Sequence, residues 1–349
     1  MNFTGAHILS ISQFQREDVD LVFSTADRME PYALRKRVTR VLEGAILGNM
    51  FFEASTRTRV SFGSAFNLLG GEVRETVGFE SSALVKGESL QDTARVLSGF
   101  SDVICMRHPA EGSVADFAKA SRVPVINGGD GSNEHPTQAL LDLYTIQKEL
   151  SQKGRDINGL SIAMIGDLRH GRTVHSLTKL LSLYDDIRVT LVSPIELTLP
   201  EEIVESMRSA GMDVKISHEL AKSIVDVDIV YSTRIQEERF PSKHESDLYR
   251  GKFQLNRAIY TKYCQPNTVI MHPLPRDSRS DANELDNDLD NNPNLAIFRQ
   301  TDNGLLIRMA LFALVLDVAD KVDKFASDVN WYNSCENSKI TNYQQWLIG

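Results

Sequence analysis

The sequence predicts an α/β protein of two domains, each a mainly parallel sheet flanked by helices, with a C-terminal helix packing back on the first domain. Three observations predict it. Short apolar runs with strand character alternate with longer segments at helical spacing, the pattern of a parallel sheet covered on both faces. The alternation is interrupted once, at the polar stretch Ser151-Gln152-Lys153-Gly154-Arg155, after which a second series starts. The chain has 349 residues, enough for two cores.

In order, residues 15–42 read as a charged helical stretch that Pro31 breaks, and 44–52 as a strand. A helix follows from Val60, then a short strand at 72–76 and a Ser/Gly-rich loop at 78–89. Helices are expected at 90–100 and 114–121, with strands at 103–106 and 123–127. A long helix covers 135–150, with Pro136 in its first turn. In the second series, strands fall at 160–165, 189–193, 214–216, 229–232 and 268–271, and helices at 173–183 and 201–210. The Asp/Asn-rich run 281–294 reads as a solvated loop, and 302–322 as a final apolar helix. The domain boundaries are therefore expected at 1–145 and 146–302, with a returning helix at 303–325 and an extension at 326–349. That extension holds both tryptophans, Trp331 and Trp346, so it is expected to dock.

Bulk composition narrows the function. The net charge is −9, which disfavours binding to nucleic acid or an anionic membrane. Local basic clusters therefore need local explanations, and small anions come first. Cys105, Cys264 and Cys335 are far apart and form no CxxC pair, so neither structural zinc nor a disulfide framework is expected. There is no basic-then-apolar leader and no run long enough to span a bilayer, so the expectation is a soluble cytoplasmic protein.

The strongest chemical signal is Phe51-Phe52-Glu53-Ala54-Ser55-Thr56-Arg57-Thr58-Arg59-Val60. It sits at a strand-to-helix junction, where four unpaired N–H groups and a partial positive charge face outward. Hydroxyl donors and planar guanidiniums added there make an anion site that needs no metal. A single Ser or Thr would be only a helix cap. Two arginines among three hydroxyl residues over Ser55–Arg59 argue for more.

Polar groups also follow other strands, at the sheet end where open α/β folds bind ligands. They are Arg107-His108-Pro109, His135-Pro136-Thr137-Gln138, Asp167–Thr173, Thr233-Arg234-Ile235-Gln236 and His272-Pro273-Leu274-Pro275-Arg276. Gly166–Thr173 nearly matches the nucleotide-binding pattern G-x-x-x-x-G-K-[ST], but Arg172 replaces the lysine, and the two are not equivalent there. The loop with Ser82 and Lys86 reads equally well as an exposed loop or as a mobile arm reaching an anion.

Phe52–Arg59, Lys86-Gly87-Glu88, Met106–Pro109, His135–Gln138, Gly171-Arg172-Thr173-Val174-His175-Ser176 and His272–Arg276 together resemble the catalytic chains of aspartate carbamoyltransferases, from the N-terminal helix to about residue 322. The related ornithine enzymes typically carry His-Cys-Leu-Pro where this chain has His272-Pro273-Leu274-Pro275. The resemblance implies attack of the L-aspartate amine on carbamoyl phosphate, giving N-carbamoyl-L-aspartate and phosphate, an early step of pyrimidine synthesis. The alternatives are another amino acid as acceptor, ornithine included, or a non-catalytic anion-binding paralogue.

The resemblance also implies residue roles. Ser55, Thr56, Arg57 and Thr58 would hold the phosphate, with Arg107 spanning phosphate and carbonyl. Thr58, Arg107 and His135 would donate to the carbonyl oxygen as it becomes an oxyanion, His135 as a neutral donor because nearby arginines disfavour its charged form. Gln138 and the backbone carbonyls of Leu274 and Pro275 would hold the carbamoyl NH2. Arg172 and Arg234 would take the two carboxylates of aspartate, assisted by Gln236. Ser82 and Lys86 would enter a neighbouring subunit's site in a homotrimer. Glu53 would bridge to Arg172 and Arg239 in a closed form. No metal or cofactor is implied. Some relatives join regulatory chains and others work as bare trimers. This chain's expanded acidic segment 277–294 and its extension bear on which applies.

Overall fold

The protein is described from a computed structural model that covers residues 1–78, 87–131, 133–240, 242–277, 279 and 282–331. It divides into two compact units. Over the described residues, one comprises Met1–Leu140 and 302–331, the other Leu141–Thr301.

The first unit opens with α1 (Arg16–Ala33) and β1 (Arg37–Thr39). There follow β2 (Ile46–Phe51), α2 (Thr56–Leu68), β3 (Glu72–Val77), α3 (Leu90–Leu97), β4 (Val103–His108), α4 (Ser113–Ala118), β5 (Val125–Asp130) and the start of α5 (Pro136–Ser151). Its four-stranded sheet is parallel throughout, in the order β3-β2-β4-β5. The chain runs from β2 to β3 on one side and then returns to β4 on the other, so the order reverses between β2 and β4. Strands β4 and β5 are buried along their whole length because helices cover both faces, and edge strand β3 is largely polar and exposed.

The second unit contains β6 (Ser161–Ile165), α6 (Arg172–Leu181), β7 (Arg188–Val192), α7 (Glu201–Ser209), β8 (Asp213–Ser217), α8 (Leu220–Ser223), β9 (Ile229–Ser232), α9 (Lys243–Asp247), α10 (Arg257–Tyr263), β10 (Val269–Met271) and the start of α11 (Ile297–Val315). Its sheet is also parallel, in the order β10-β9-β6-β7-β8. Here the reversal lies between β6 and β9.

From Asp302 onward α11 belongs to the first unit, as the expected returning helix does. Phe312 packs edge-on against Phe62 and Phe66 of α2, with ring centroids at 5.9 and 5.0 Å. Arg308 stacks on Phe62 and donates to the Ser61 hydroxyl at 2.8 Å.

Of four expectations, three are corrected, and the docking of the extension is met at its start. Pro31 lies inside α1 rather than breaking it, one turn from the helix end, and the stretch read as helix to residue 42 turns into β1. The final helix starts at Ile297 and ends at Val315; a short 3-10 stretch, Ala319–Phe325, follows it. The extension begins with β11 (Ala326–Asp328), antiparallel to β1; Trp331 is 52% exposed, while Trp346 lies outside the described residues. The acidic run is not a solvated loop. Leu285, Leu289 and Leu295 are buried in the second unit's core with Val230, Leu255 and Ile270.

Candidate active site

In the first unit the site residues collect where the strand order reverses, the place at which open α/β sheets bind ligands. Strand β2 ends at Phe51, and the chain passes through Phe52-Glu53-Ala54 to Ser55, which caps α2 in an extended conformation. The first turn of α2 is Thr56, Arg57 and Thr58, with no acidic residue to compete for an anion. Its N–H groups, the hydroxyls and the Arg57 guanidinium are the kinds of donor that a phosphate requires.

The neighbouring strand β4 delivers Arg107. Its side chain is buried, with Nη2 at 2.9 Å from the Glu53 carboxylate and Nη1 donating to the Gly128 carbonyl at 3.4 Å. Arg107 is thus held from β2 on one side and β5 on the other. Beside it, the His108 Nδ1 accepts from the Ala110 N–H at 3.0 Å, and burial pushes the imidazole below its ordinary pKa.

The next strand, β5, leads to His135 and Gln138 at the start of α5. The approach is built from buried acids. Asp130 accepts from the Asn127 side chain and from the Glu134 and Gly112 N–H groups. Glu134 in turn accepts from the Ser10 hydroxyl at 2.9 Å and the Ile11 N–H at 3.0 Å. Buried carboxylates with this many donors are satisfied where they sit, and they fix the loop that presents His135. None of these acids was singled out from sequence, because their partners lie up to 124 residues away.

In the second unit the loops after β6 and β9 adjoin. Gly166 has φ +114°, and a Cβ there would meet the Thr233 carbonyl oxygen at 2.2 Å, so only glycine allows the approach. Asp167, fully buried, accepts from the His170 N–H at 3.0 Å and the Gln236 N–H at 3.1 Å, and it also faces the His170 ring. One carboxylate therefore ties the loop bearing Arg172 to the loop bearing Arg234 and Gln236. Arg172 is the first residue of α6, and Arg234 follows β9 by two residues; both are half-buried. Arg239 closes a short 3-10 turn after Gln236. Strand β10, next to β9, ends in His272 and the Leu274–Pro275 turn, where Leu274 has φ +54° and the peptide bond is cis.

The structure thus brings together Glu53, Ser55, Thr56, Arg57, Thr58, Arg107, His135 and Gln138 in one unit. In the other, Arg172, the group Arg234, Gln236 and Arg239, and the pair Leu274 and Pro275 follow the neighbouring strands β6, β9 and β10. Ser82 and Lys86 lie outside the described residues. Among those residues, no helix is long and apolar enough to cross a membrane.

Two units with parallel sheets, one bearing a phosphate-suited helix start and the other two arginines after neighbouring strands, fit a carbamoyltransferase. The family model of the aspartate/ornithine carbamoyltransferase carbamoyl-P binding domain matches residues 6–148, and that of the Asp/Orn binding domain matches 158–315. The chain belongs to the aspartate/ornithine carbamoyltransferase family. Within it, the chain is 76% identical to the aspartate carbamoyltransferase catalytic subunit of Saccharophagus degradans over 334 residues, covering 96% of this chain and 99% of the relative. The corresponding subunit of Cellvibrio japonicus is 75% identical over the same length, with the same coverage. Among solved structures, aspartate transcarbamoylase of Trypanosoma cruzi in complex with N-(phosphonacetyl)-L-aspartic acid superposes with a TM-score of 0.82 at 37% identity, covering 90% of this chain and 97% of that one. The M. jannaschii catalytic subunit gives 0.80 at 42% identity, with coverages of 89% and 98%.

Proposed function

We propose that this protein transfers the carbamoyl group of carbamoyl phosphate to the amine of L-aspartate. The products are N-carbamoyl-L-aspartate and phosphate, and the reaction serves pyrimidine synthesis. The observation that carries the reading is the high identity, over nearly the whole chain, to aspartate carbamoyltransferase catalytic subunits. It is supported by the acid-free first turn of α2 and by Arg107, anchored on the adjacent strand.

In this reading the phosphate rests on Ser55, Thr56, Arg57 and Thr58. The aspartate amine attacks the carbonyl carbon, and the carbonyl oxygen gains negative charge. Thr58, Arg107 and His135 donate to that oxygen, and each preorganised donor of this kind stabilises the transition state by ~3 kcal/mol. The bond from carbon to the phosphate oxygen then breaks, and the leaving phosphate takes the proton of the attacking amine. Gln138 and the carbonyls of Leu274 and Pro275 orient the carbamoyl NH2. Arg172 and Arg234 fix the two carboxylates of aspartate with help from Gln236.

The proposal includes a homotrimer in which Ser82 and Lys86 complete a neighbour's site. Edge strand β3 gives this support. Beside it a cleft is lined by Ile46, Met50, Leu97 and Phe100 on one side and by Arg74, Glu75 and Thr76 of β3 on the other, and Phe100 is 67% exposed. An open sheet edge beside an exposed aromatic is the kind of surface that another subunit covers. The relatives are named catalytic subunits, and assembly with regulatory chains is part of the same proposal.

The test is a transfer assay with labelled carbamoyl phosphate and a panel of amino acids. L-aspartate is expected to be the best acceptor, with one phosphate released per carbamoyl transferred. Preference for ornithine would overturn the acceptor assignment. Phosphate binding without transfer to any acceptor would leave an anion-binding protein.

A further inference from the structure

The acidic segment 277–294 carries a buried carboxylate, Glu284, 7% exposed. It does not serve the core alone. Its Oε1 lies 2.7 Å from the His272 Nε2, and the Asp277 N–H donates to its two oxygens at 3.2 and 3.3 Å. On its other side the His272 ring accepts, at Nδ1, the N–H of Leu274 at 2.9 Å. A ring nitrogen that accepts carries no proton, so His272 is neutral with its proton on Nε2, aimed at Glu284. Glu284 thus grips the Leu274–Pro275 turn at both ends, through His272 before it and through Asp277 after it.

The anchorage continues inward. The His272 N–H donates to the Gln300 side chain at 2.9 Å, Gln300 donates to Asp142 at 2.7 Å, and the Tyr231 hydroxyl donates to Asp142 at 2.7 Å. All of these groups are buried. A satisfied buried network of this kind holds one geometry, since any displaced member would leave polar atoms unpaired. Leu274, held at φ +54°, adopts a backbone that a leucine rarely takes without such restraint.

We propose that Glu284 is a positioning residue for carbamoyl transfer: through His272 and the Asp277 N–H it fixes the turn whose Leu274 and Pro275 carbonyls orient the carbamoyl NH2. This rests on the function proposed above and adds a residue that acts without touching substrate. Misplacing an orienting group by about 1 Å costs on the order of 10²-fold in rate.

The test compares Glu284→Ala and Glu284→Gln in the full-length protein. The alanine variant frees both ends of the turn, whereas glutamine keeps a carbonyl oxygen able to accept from His272 Nε2 and the Asp277 N–H. The expected result for Glu284→Ala is a kcat loss on the order of 10²-fold, with KM for aspartate and inhibition by inorganic phosphate within about twofold of the parent. Glu284→Gln is expected to regain most of the lost rate. In the parent, the imidazole 15N shifts of His272 are expected to report a neutral ring protonated at Nε2.

A parent-like kcat for Glu284→Ala would overturn the inference, as would equal losses for alanine and glutamine. If Glu284→Ala shows no cooperative unfolding, His272→Asn decides: its side-chain oxygen still accepts from Leu274 but no longer reaches Glu284, so a slow enzyme with intact phosphate binding is expected. A parent-like rate for that variant would overturn the inference. If the parent itself transferred no carbamoyl group, the proposed function would fail, while the His272 tautomer would still be readable.

Discussion

Replacing Arg107 by Met separates what its guanidinium does for the reaction from what it does for the fold. The methionine keeps the stem volume and removes the charge. In the structure the guanidinium sits 2.9 Å from Glu53 and 3.4 Å from the Gly128 carbonyl, with a side chain only 10% exposed. Breaking a fully buried pair costs about 3–5 kcal/mol. The Glu53 side chain is 24% exposed, so water recovers part of that loss and a cost of about 1–2 kcal/mol is expected. The kinetic loss should be larger, because a preorganised donor at a developing oxyanion contributes ~3 kcal/mol, or about 10²-fold in kcat. Adding Glu53→Gln removes the carboxylate left behind. The double variant should recover most of the stability and none of the rate. Steady-state transfer kinetics and urea unfolding on the four proteins of the cycle measure both quantities. A single variant within about fivefold of parent kcat, or a double variant that regains the rate, would refute the role given to the guanidinium.

Three further outcomes are expected. Mixing an inactive Lys86→Ala chain with an inactive Arg57→Ala chain should restore part of the activity if sites are shared between subunits; stable mixed trimers with none would exclude sharing. Phe312→Ala should lower stability by about 3–5 kcal/mol in chemical unfolding, because it empties a fully buried position between two other rings; a loss below about 1 kcal/mol would contradict the packing of α11 on α2. Burial holds the His175 imidazole below its ordinary pKa, with Nε2 against the Leu168 carbonyl. Between the folded pKa and the unfolded value near 6.5 the unfolded chain binds more protons. Stability from this group should therefore be complete above pH ~6.5 and fall as pH drops through that window. His175→Gln should flatten the unfolding midpoint against pH there, and an unchanged slope would refute the assignment.

Much of this was legible in the sequence because the signals are local. The inner strands of both sheets are short, mostly apolar runs, and the anion-suited cluster Ser55–Arg59 occupies one helix start. What escaped depends on partners distant in the chain. Strand β1 is three residues long and exists because β11, nearly 290 residues on, pairs with it. Pro31 reads as a breaker, yet it lies in the last turn of α1, where Leu34 and Lys36 still bond back to Glu30 and Pro31. The run 281–294 is polar by composition, and that masks the spacing of Leu285 and Leu289, which face the core with Leu295 just beyond the run. Asp167, Asp130 and Glu134 look like ordinary surface acids in a list of residues; only folding shows that each collects backbone donors beside a site residue.

The account's central claim is that the phosphate cradle of one unit and the paired guanidiniums of the other serve a single substrate pair. A crystal structure with N-(phosphonacetyl)-L-aspartate bound tests it most directly. The expected result is one ligand per site, its phosphonate on Ser55–Thr58 and Arg107 and its two carboxylates on Arg172 and Arg234. A phosphonate seated elsewhere, or carboxylates that meet neither arginine, would contradict it.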